Sequence, residues 1–380
     1  MNAGPLGGLT VIELAGLAPA PFAATMLADL GADVVRVDRA SPGADVLGIP
    51  NDPLTRSRRT IGVDTKTPGG VEVVLSLAEQ ADVLIEGFRP GVAERMGLGP
   101  EQVHARNPRL VYGRITGWGQ DGPLAPVAGH DINYIGLSGA LATIGRAGEK
   151  PVAPVNYLGD FGGGGLYLAM GVLAALYERM SSGTGQVVDA SMVDGSALLT
   201  TQLYGMKAAG AWSGERGENL LDGGAPFYDT YACADGRYVA VGAIEMRFWS
   251  ALVEVLELDA ESLPLHLDQS QWPKLREILS EAIGKYTRDE LVAKAAGTDA
   301  CLTPVLTPEE AADHPHNVAR GTFAEVGGTV QPAPGPKFDR TPAPQPQAPH
   351  PAGADTAEVL GEFGYDAAAV AALREAGEVA

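Results

Sequence analysis

Cysteine is nearly absent from this 380-residue chain: there are two, Cys233 and Cys301, far apart and without metal-ligand spacing. A disulfide framework is not expected, and a reducing cytosol is the expected compartment. Histidine is also scarce, at positions 104, 130, 266, 314, 316 and 350. The pair at 314 and 316 has no accompanying set of cysteines, histidines or acids, so it reads as a solvated loop and no metal is expected. Positive charge is the third shortage, with 27 Lys and Arg against 47 Asp and Glu, a net charge of −20. Such a surface repels phosphate polymers and anionic bilayers, so neither nucleic acid nor membrane is an expected partner. An anionic small molecule can bind only where the few basic residues gather. The longest apolar stretch, GGGGLYLAMGVLAALY (162–177), is too short to cross a bilayer and reads as a buried helix. The N-terminus lacks the basic region of a secretory signal, and GEVA at the C-terminus is no peroxisomal address. No G-x-x-x-x-G-K-[ST] loop, no clean G-x-G-x-x-G after the first strand and no G-x-S-x-G elbow occurs. These absences speak against a nucleotide hydrolase, a nicotinamide enzyme and an α/β-hydrolase.

What is present is alternation of strands and helices. LTVIEL (9–14) and DVVRVD (33–38) are strands by their β-branched runs, and PAPFAATMLADLGA (19–32) between them is helical. Helix 71–81, strand 82–87, strand 109–117, helix 163–180, strand 186–192 and helix 193–209 follow. This order predicts an α/β fold: a large Rossmann-like domain with a mostly parallel sheet covered on its faces. After DGGAP (222–226) the texture changes. A strand at 237–244 and helices near 246–257, 271–285 and 288–296 predict a smaller α+β domain. The expected boundaries are 1–200 for the large domain, completed by 330–380, and 201–329 for linkers and small domain. Residues 328–354 are proline-rich and read as an extended arm, since proline lacks the amide donor that helices and central strands need. Helices near 356–363 and 366–376 are expected to dock back on the large domain.

Three features carry candidate chemistry, each with a bland alternative. His130, in AGHDINY (128–134), is the one histidine placed ahead of an apolar segment expected to be buried, INYIGLSGALATIG. It is either a helix-capping or core-bonded histidine, or a working base. Asp160 in NYLGDFGGGG (156–165) is either the N-cap of the long helix or part of a site. The glycines leave that helix start bare, so a ligand could approach its backbone, and together they cost stability beyond what capping needs. The third feature is a set of basic residues, Arg36, Arg39, Arg56, Arg58, Arg59, Lys66, Arg89 and Arg95, several at strand ends where open α/β sheets bind ligands. They suggest a phosphate site, or else they are solvated charges. Glu245, between a strand and a helix, reads as an ordinary first-turn acid on its own.

Taken together, several stretches resemble the family III CoA-transferase (CaiB/BaiF) superfamily, and within it the α-methylacyl-CoA racemase branch. They are ELAGLAPAPFAATMLADLGADVVRVDR (13–39), DVLIEGFRPGVAERMGLGP (82–100), ITGWGQDGP (115–123), GHDINY (129–134), GDFGGGG (159–165), GTGQVVDASMVDG (183–195) and DGGAPFYDTYACADGRYVAVGAIE (222–245). GHDINY is the most specific, because the transferase branch typically lacks the histidine while keeping the acid matching Asp160. The resemblance implies that His130 and Asp160 are two bases on opposite faces of a thioester α-carbon, passing one proton through an enolate. The backbone amide of Asp131 is the candidate donor to the enolate oxygen. Glu245 would orient His130.

By the same resemblance Arg39 and Arg95 would meet the nucleotide phosphates of CoA. Val63, Asp64, Thr65 and Lys66, with Gly87, Phe88 and Arg89, would contact the adenosine. Gly129, Ile132, Asn133 and Tyr134 would hold the pantetheine end. CoA is then part of the substrate, and no separate cofactor is expected. The family fold is an interlocked homodimer, with the active site between the large domain of one chain and the small domain of the other. The expected function is interconversion of R and S 2-methylacyl-CoA thioesters. The alternatives are a CoA-transferase with Asp160 as covalent nucleophile, or a non-catalytic acyl-CoA-binding protein. The preferred acyl group is open.

Overall fold

The computed structural model describes residues 4–41, 49, 51–212 and 214–380. The chain enters through β1 (Thr10–Leu14), α1 (Pro19–Asp29), β2 (Asp33–Arg39) and β3 (Arg59–Val63). Then come α2 (Pro68–Gln80), β4 (Val83–Glu86), α3 (Val92–Arg95), α4 (Pro100–Arg106), β5 (Val111–Thr116) and α5 (Asp131–Leu137). A π-helix (Tyr157–Gly165) runs straight into α6 (Leu166–Ser182), followed by β6 (Val187–Ser191) and α7 (Met192–Leu199). The six strands form one wholly parallel sheet in the order β3-β2-β1-β4-β5-β6. The strand order reverses between β1 and β4, so the crevice at their carboxyl ends is where this architecture places a ligand.

The strands read as apolar runs because both faces are covered. Neighbouring residues divide between two cores. Val11, Val34, Val83 and Val111 pack with α1 and α6, while Ile12, Val35, Leu84 and Tyr112 pack on the other side with residues of α2. Ala20, Ala23, Ala24 and Ala28 on α1 are buried, and their small side chains let that helix lie close on the sheet. Fully burying one such Val, Leu or Ile contributes about 1.5–3 kcal/mol. α2 starts cleanly, with Thr67 Oγ1 accepting from Gly70 N–H at 3.0 Å and Pro68 in the first turn.

The second unit contains α8 (Thr201–Ala208), β7 (Tyr228–Ala232), β8 (Tyr238–Gly242), α9 (Met246–Val255), α10 (Trp272–Ile283) and α11 (Arg288–Ala295). β9 (Leu302–Pro304), α12 (Pro308–Asp313) and α13 (Pro315–Arg320) complete it. β7, β8 and β9 form an antiparallel sheet whose buried side chains, Tyr231, Val239 and Val241 among them, join Leu252, Leu275, Leu279 and Leu291 of the helices in one core. The chain then returns to the first unit through β10 (Phe323–Val326), β11 (Thr329–Pro332), α14 (Thr356–Glu362) and α15 (Ala367–Glu375). Val359, Leu360 and Val370 enter the α2-side core, and Val379 bridges to Val63. The compact units are residues 1–138, 155–199 and 321–380 on one side and 139–154 and 200–320 on the other.

Several expectations change. Residues 139–154 cluster with the second unit although sequence placed them in the large domain. The segment after His130 is not a continuous buried stretch: Ile132 is 48% exposed and Leu137 59% exposed, while Asp131, Tyr134 and Ile135 are buried. The expected helix 193–209 is two helices that part at Thr200. The apolar run at 162–177 belongs to a longer helical stretch, Tyr157–Ser182, which by length and composition alone would suffice to cross a membrane. Leu168, Ala169, Val172, Ala175 and Leu176 of that stretch are packed into the core against the sheet, which is what a core helix does.

Candidate active site

The site grows from two helix starts that follow β5. His130 stands at the N-cap position of α5, exposed, in extended backbone geometry (φ −134°, ψ 171°). Its backbone N–H donates to Asn133 Oδ1 at 3.0 Å, and the Asn133 N–H donates back to the His130 carbonyl at 2.7 Å, a reciprocal pair that fixes the entry of the helix. The loop before it is held from beneath. Tyr134 donates its hydroxyl to the Gly129 carbonyl, and its ring meets Trp118 edge-on at 4.8 Å between centroids. Gly129 is required there, since a Cβ would lie 2.7 Å from the Tyr134 ring.

Asp160 lies within the π-helix and is not an N-cap; the N-cap position belongs to Asn156. Asn156 Nδ2 donates to Asp160 Oδ2 at 2.9 Å. Asn156 is a site residue that sequence reasoning missed, although its four-residue spacing from Asp160 on a helical stretch was the available signal. The Asp160 carboxyl is raised above the usual carboxylate range. Burial is the main cause; the Asn156 hydrogen bond opposes it, the charge of Asp131 adds to it, and the charge of His130 opposes it. The charge of His130 is thus felt at Asp160, across thirty positions of sequence.

The glycines after Asp160 do not leave a bare helix start for a ligand. They admit neighbouring protein. A Cβ at Gly163 would lie 2.6 Å from the backbone N of Ser196, and one at Gly165 would lie 2.7 Å from the Phe22 ring. The π-helix is therefore wedged between α1 and α7, and the stability that glycine costs is spent on fixing Asp160.

The basic residues separate into two groups. Arg36 pairs with Glu13 and Asp38, Arg58 with Glu13, Arg56 with Asp29, and Arg59 with Asp33 and Glu362. These four are structural. Arg39, Lys66, Arg89 and Arg95 are exposed and make no ion pair among the described residues. Arg39 ends β2, Val63 to Lys66 follow the end of β3, and Gly87, Phe88 and Arg89 follow β4, so all lie toward the carboxyl edge of the parallel sheet. The Phe88 amide is held by Glu86 Oε2 at 2.6 Å, and Glu86 is in turn paired with Arg114. Arg89 is close enough to Tyr134 to act on its phenol.

Within the 63–66 stretch, Val63 is a core side chain, and its carbonyl and the Asp64 amide are already bonded to Ala40 and Glu378. The side chains of Thr65 and Lys66 are what that stretch leaves open.

Asp131 is buried, and its side chain, discussed below, reaches the Asp160 segment. Its backbone N–H, in the first turn of α5, has no acceptor among the described residues. Ile132 and Asn133 are exposed beside it. A cavity of about 550 Å³ adjoins this region in the first unit, lined by Leu17 and Ala18 after β1, by Arg36 and Asp38, and by Asn156 and Phe161 on either side of Asp160. A larger cavity, about 690 Å³, lies wholly in the second unit between Ile144, Val152, Tyr228 and Val241 and contains none of His130, Asp131 or Asp160. Neither cavity is lined by these three residues themselves; the first reaches the site through Asn156, the hydrogen-bond partner of Asp160. Glu245 belongs to the second unit. It is exposed at the N-cap position of α9 and caps no amide, a placement that suits an ordinary helix-start acid favoured by the helix dipole.

A family model described as CoA-transferase family III matches residues 6–356. The chain is 47% identical to the α-methylacyl-CoA racemase of Mus musculus over 95% of its own length and 93% of that protein's. The α-methylacyl-CoA racemase of Homo sapiens is 46% identical, over 95% and 94% respectively. Among solved structures, a CaiB/BaiF family protein from Brucella suis superposes with a TM-score of 0.81 at 27% identity, covering 95% of this chain and all of that one.

Proposed function

Since this chain belongs to CoA-transferase family III, we propose from that premise that it interconverts the R and S forms of 2-methylacyl-CoA thioesters by moving a proton between the two faces of the α-carbon. The observation that carries the reading is the pair itself: an exposed His130 whose charge is felt by a half-buried Asp160 of raised proton affinity. The transfer needs one group free to take a proton and another holding one to deliver. In one direction His130 removes the proton and Asp160, protonated, returns one to the opposite face; in the other the roles exchange. The enolate between the two steps places negative charge on the thioester oxygen, and the unpaired Asp131 amide is the donor we assign to it. Protein side chains perform both transfers, so the reaction calls for no cofactor beyond the CoA carried by the substrate.

CoA lies along the carboxyl edge of the sheet in this reading. Arg39 and Arg95 meet the phosphates, Thr65, Lys66 and the Gly87–Arg89 turn face the adenosine, and the Gly129–Tyr134 segment holds the pantetheine. Glu245 orients His130 from the small domain of a second chain, in an interlocked homodimer. The cytosol is the proposed compartment, on composition alone.

Deuterium uptake tests the pair. Each pure enantiomer is incubated in D₂O with wild type, His130→Ala and Asp160→Ala. Wild type inverts both enantiomers with α-deuterium. Each variant loses racemisation by orders of magnitude and keeps slow exchange, with retention, for one enantiomer only, opposite in the two variants. The same enantiomer favoured in both sinks the two-face assignment. A transferase leaves the α-carbon alone and needs a second acid as acceptor.

A further inference from the structure

We propose that the Asp131 carboxylate is a positioning residue for Asp160: reaching across from α5, it pins the backbone of the acid from inside the protein. The inference rests on Asp160 being one of the two proton-carrying groups. Oδ1 of Asp131 accepts from the Gly159 N–H at 2.7 Å and from the Asp160 N–H at 2.8 Å. A π-helix bonds each amide five residues back, so its first amides have no acceptor within the helix. Two of these, on Asp160 and on the residue before it, are satisfied by this one oxygen. Asp131 is 6% exposed, so the contact is an internal one. Gly159 is what allows it, because a Cβ there would lie 2.4 Å from Oδ1 and 2.9 Å from the carboxyl carbon.

Capping alone does not account for a carboxylate. The second oxygen, Oδ2, is buried and has no hydrogen-bond partner among the described residues. Burying unpaired negative charge is costly, and a neutral asparagine oxygen could accept the same two bonds. The surplus charge raises the proton affinity of Asp160, and it adds to that of the neighbouring Tyr134 hydroxyl. The charged groups that act on Asp160 are Asp131 and His130, both at the start of α5 and opposite in sign of effect. The other elements packed against the π-helix, α1, α6, α7, β5 and β6, present no charged group that does so. The Asp131 side chain thus sets both the place of the acid and the readiness with which it holds a proton. Its backbone amide serves the enolate separately, and substitution of the side chain leaves that amide present.

The test is the pH dependence of kcat/KM. The productive pair carries one proton, so kcat/KM is bell-shaped, and the acidic limb reports protonation of the second group. Asp131→Asn keeps an oxygen for both amides and removes the charge. It should fold and keep KM, and its acidic limb should move to lower pH. Asp131→Ala removes pin and charge together, and kcat should fall about 10²-fold with KM little changed. Should that variant fail to fold, Gly159→Ala displaces the carboxylate while keeping its charge, and it should show the same loss in kcat. An acidic limb unmoved in Asp131→Asn, or wild-type kcat in Asp131→Ala or Gly159→Ala, overturns the assignment. Wild type serves as the control that separates the two claims. If it exchanges no α-proton, the racemase reading falls and this inference with it. If it exchanges both enantiomers while the limb stays fixed, only the role of Asp131 falls.

Discussion

Gly195→Ala tests whether the wedge that holds Asp160 is what the glycines are for. Gly195 lies in α7 against the π-helix, and a Cβ there would sit 1.9 Å from the carbonyl oxygen of Gly163 and 2.7 Å from its carbon. Ordinary contact begins at 3.4 Å, so the two backbones must part by about 1.5 Å. Both partners are main chain, and no flexible side chain can swing away. Overpacking of this kind costs about 1–3 kcal/mol. At about 2–4 °C per kcal/mol for a unit of this size, the melting temperature should fall by about 2–12 °C. Separation of the two helices displaces the segment that carries Asp160, three residues before Gly163, and a shift near 1 Å lowers kcat by about 10²-fold. The matched control is Gly205→Ala in α8, where a Cβ meets nothing within 4 Å and the helix should gain about 0.5–1 kcal/mol. Differential scanning fluorimetry and deuterium uptake from D₂O read both quantities. Gly195→Ala that melts with wild type and exchanges at the wild-type rate would refute the reasoning.

Asp29→Ala strands the Arg56 guanidinium in a site where both are buried and Arg56 also holds Gln331 and the Pro332 carbonyl at 2.7 Å; a loss of about 3–5 kcal/mol should appear as a lowered denaturant midpoint. Arg39→Ala and Arg95→Ala should raise KM more than they lower kcat and should flatten the salt dependence of KM, and an unchanged KM in both removes the phosphate assignment. Glu245→Gln should reduce activity without abolishing it and alter the basic limb of the pH profile, whereas a wild-type rate returns this exposed acid to no role in the reaction.

The large sheet was legible because its strands are covered on both faces and therefore written as near-continuous Val, Ile and Leu runs. β3 was legible only as a strand end bearing basic residues and was given no bounds, since RTIGV is short and carries a glycine. The basic cluster was misread for a related reason. Glu13 and Arg36 stand opposite each other only in the register of β1 on β2, and no linear spacing reveals that the arginine is already paired. The glycines at 162–165 announced close approach, but composition cannot say by what. Phe22 and the α7 backbone fill the space that a ligand was expected to take. His130 and Asp160 were visible as motif residues, while Asn156 and the side-chain role of Asp131 needed the π-helix, whose wide turn no propensity scale registers.

The first unit is written in three separate stretches of sequence, 1–138, 155–199 and 321–380, with most of the second unit spelled out between the last two. During synthesis, residues 200–320 emerge before Val359, Leu360 and Val370 exist to close the α2-side core. At about 5–20 residues per second, the sheet waits roughly ten seconds with that core covered by α2 but still lacking α14 over β3. The part of the polypeptide made first is therefore finished last, and its α2-side core stays incomplete until the final sixty residues follow.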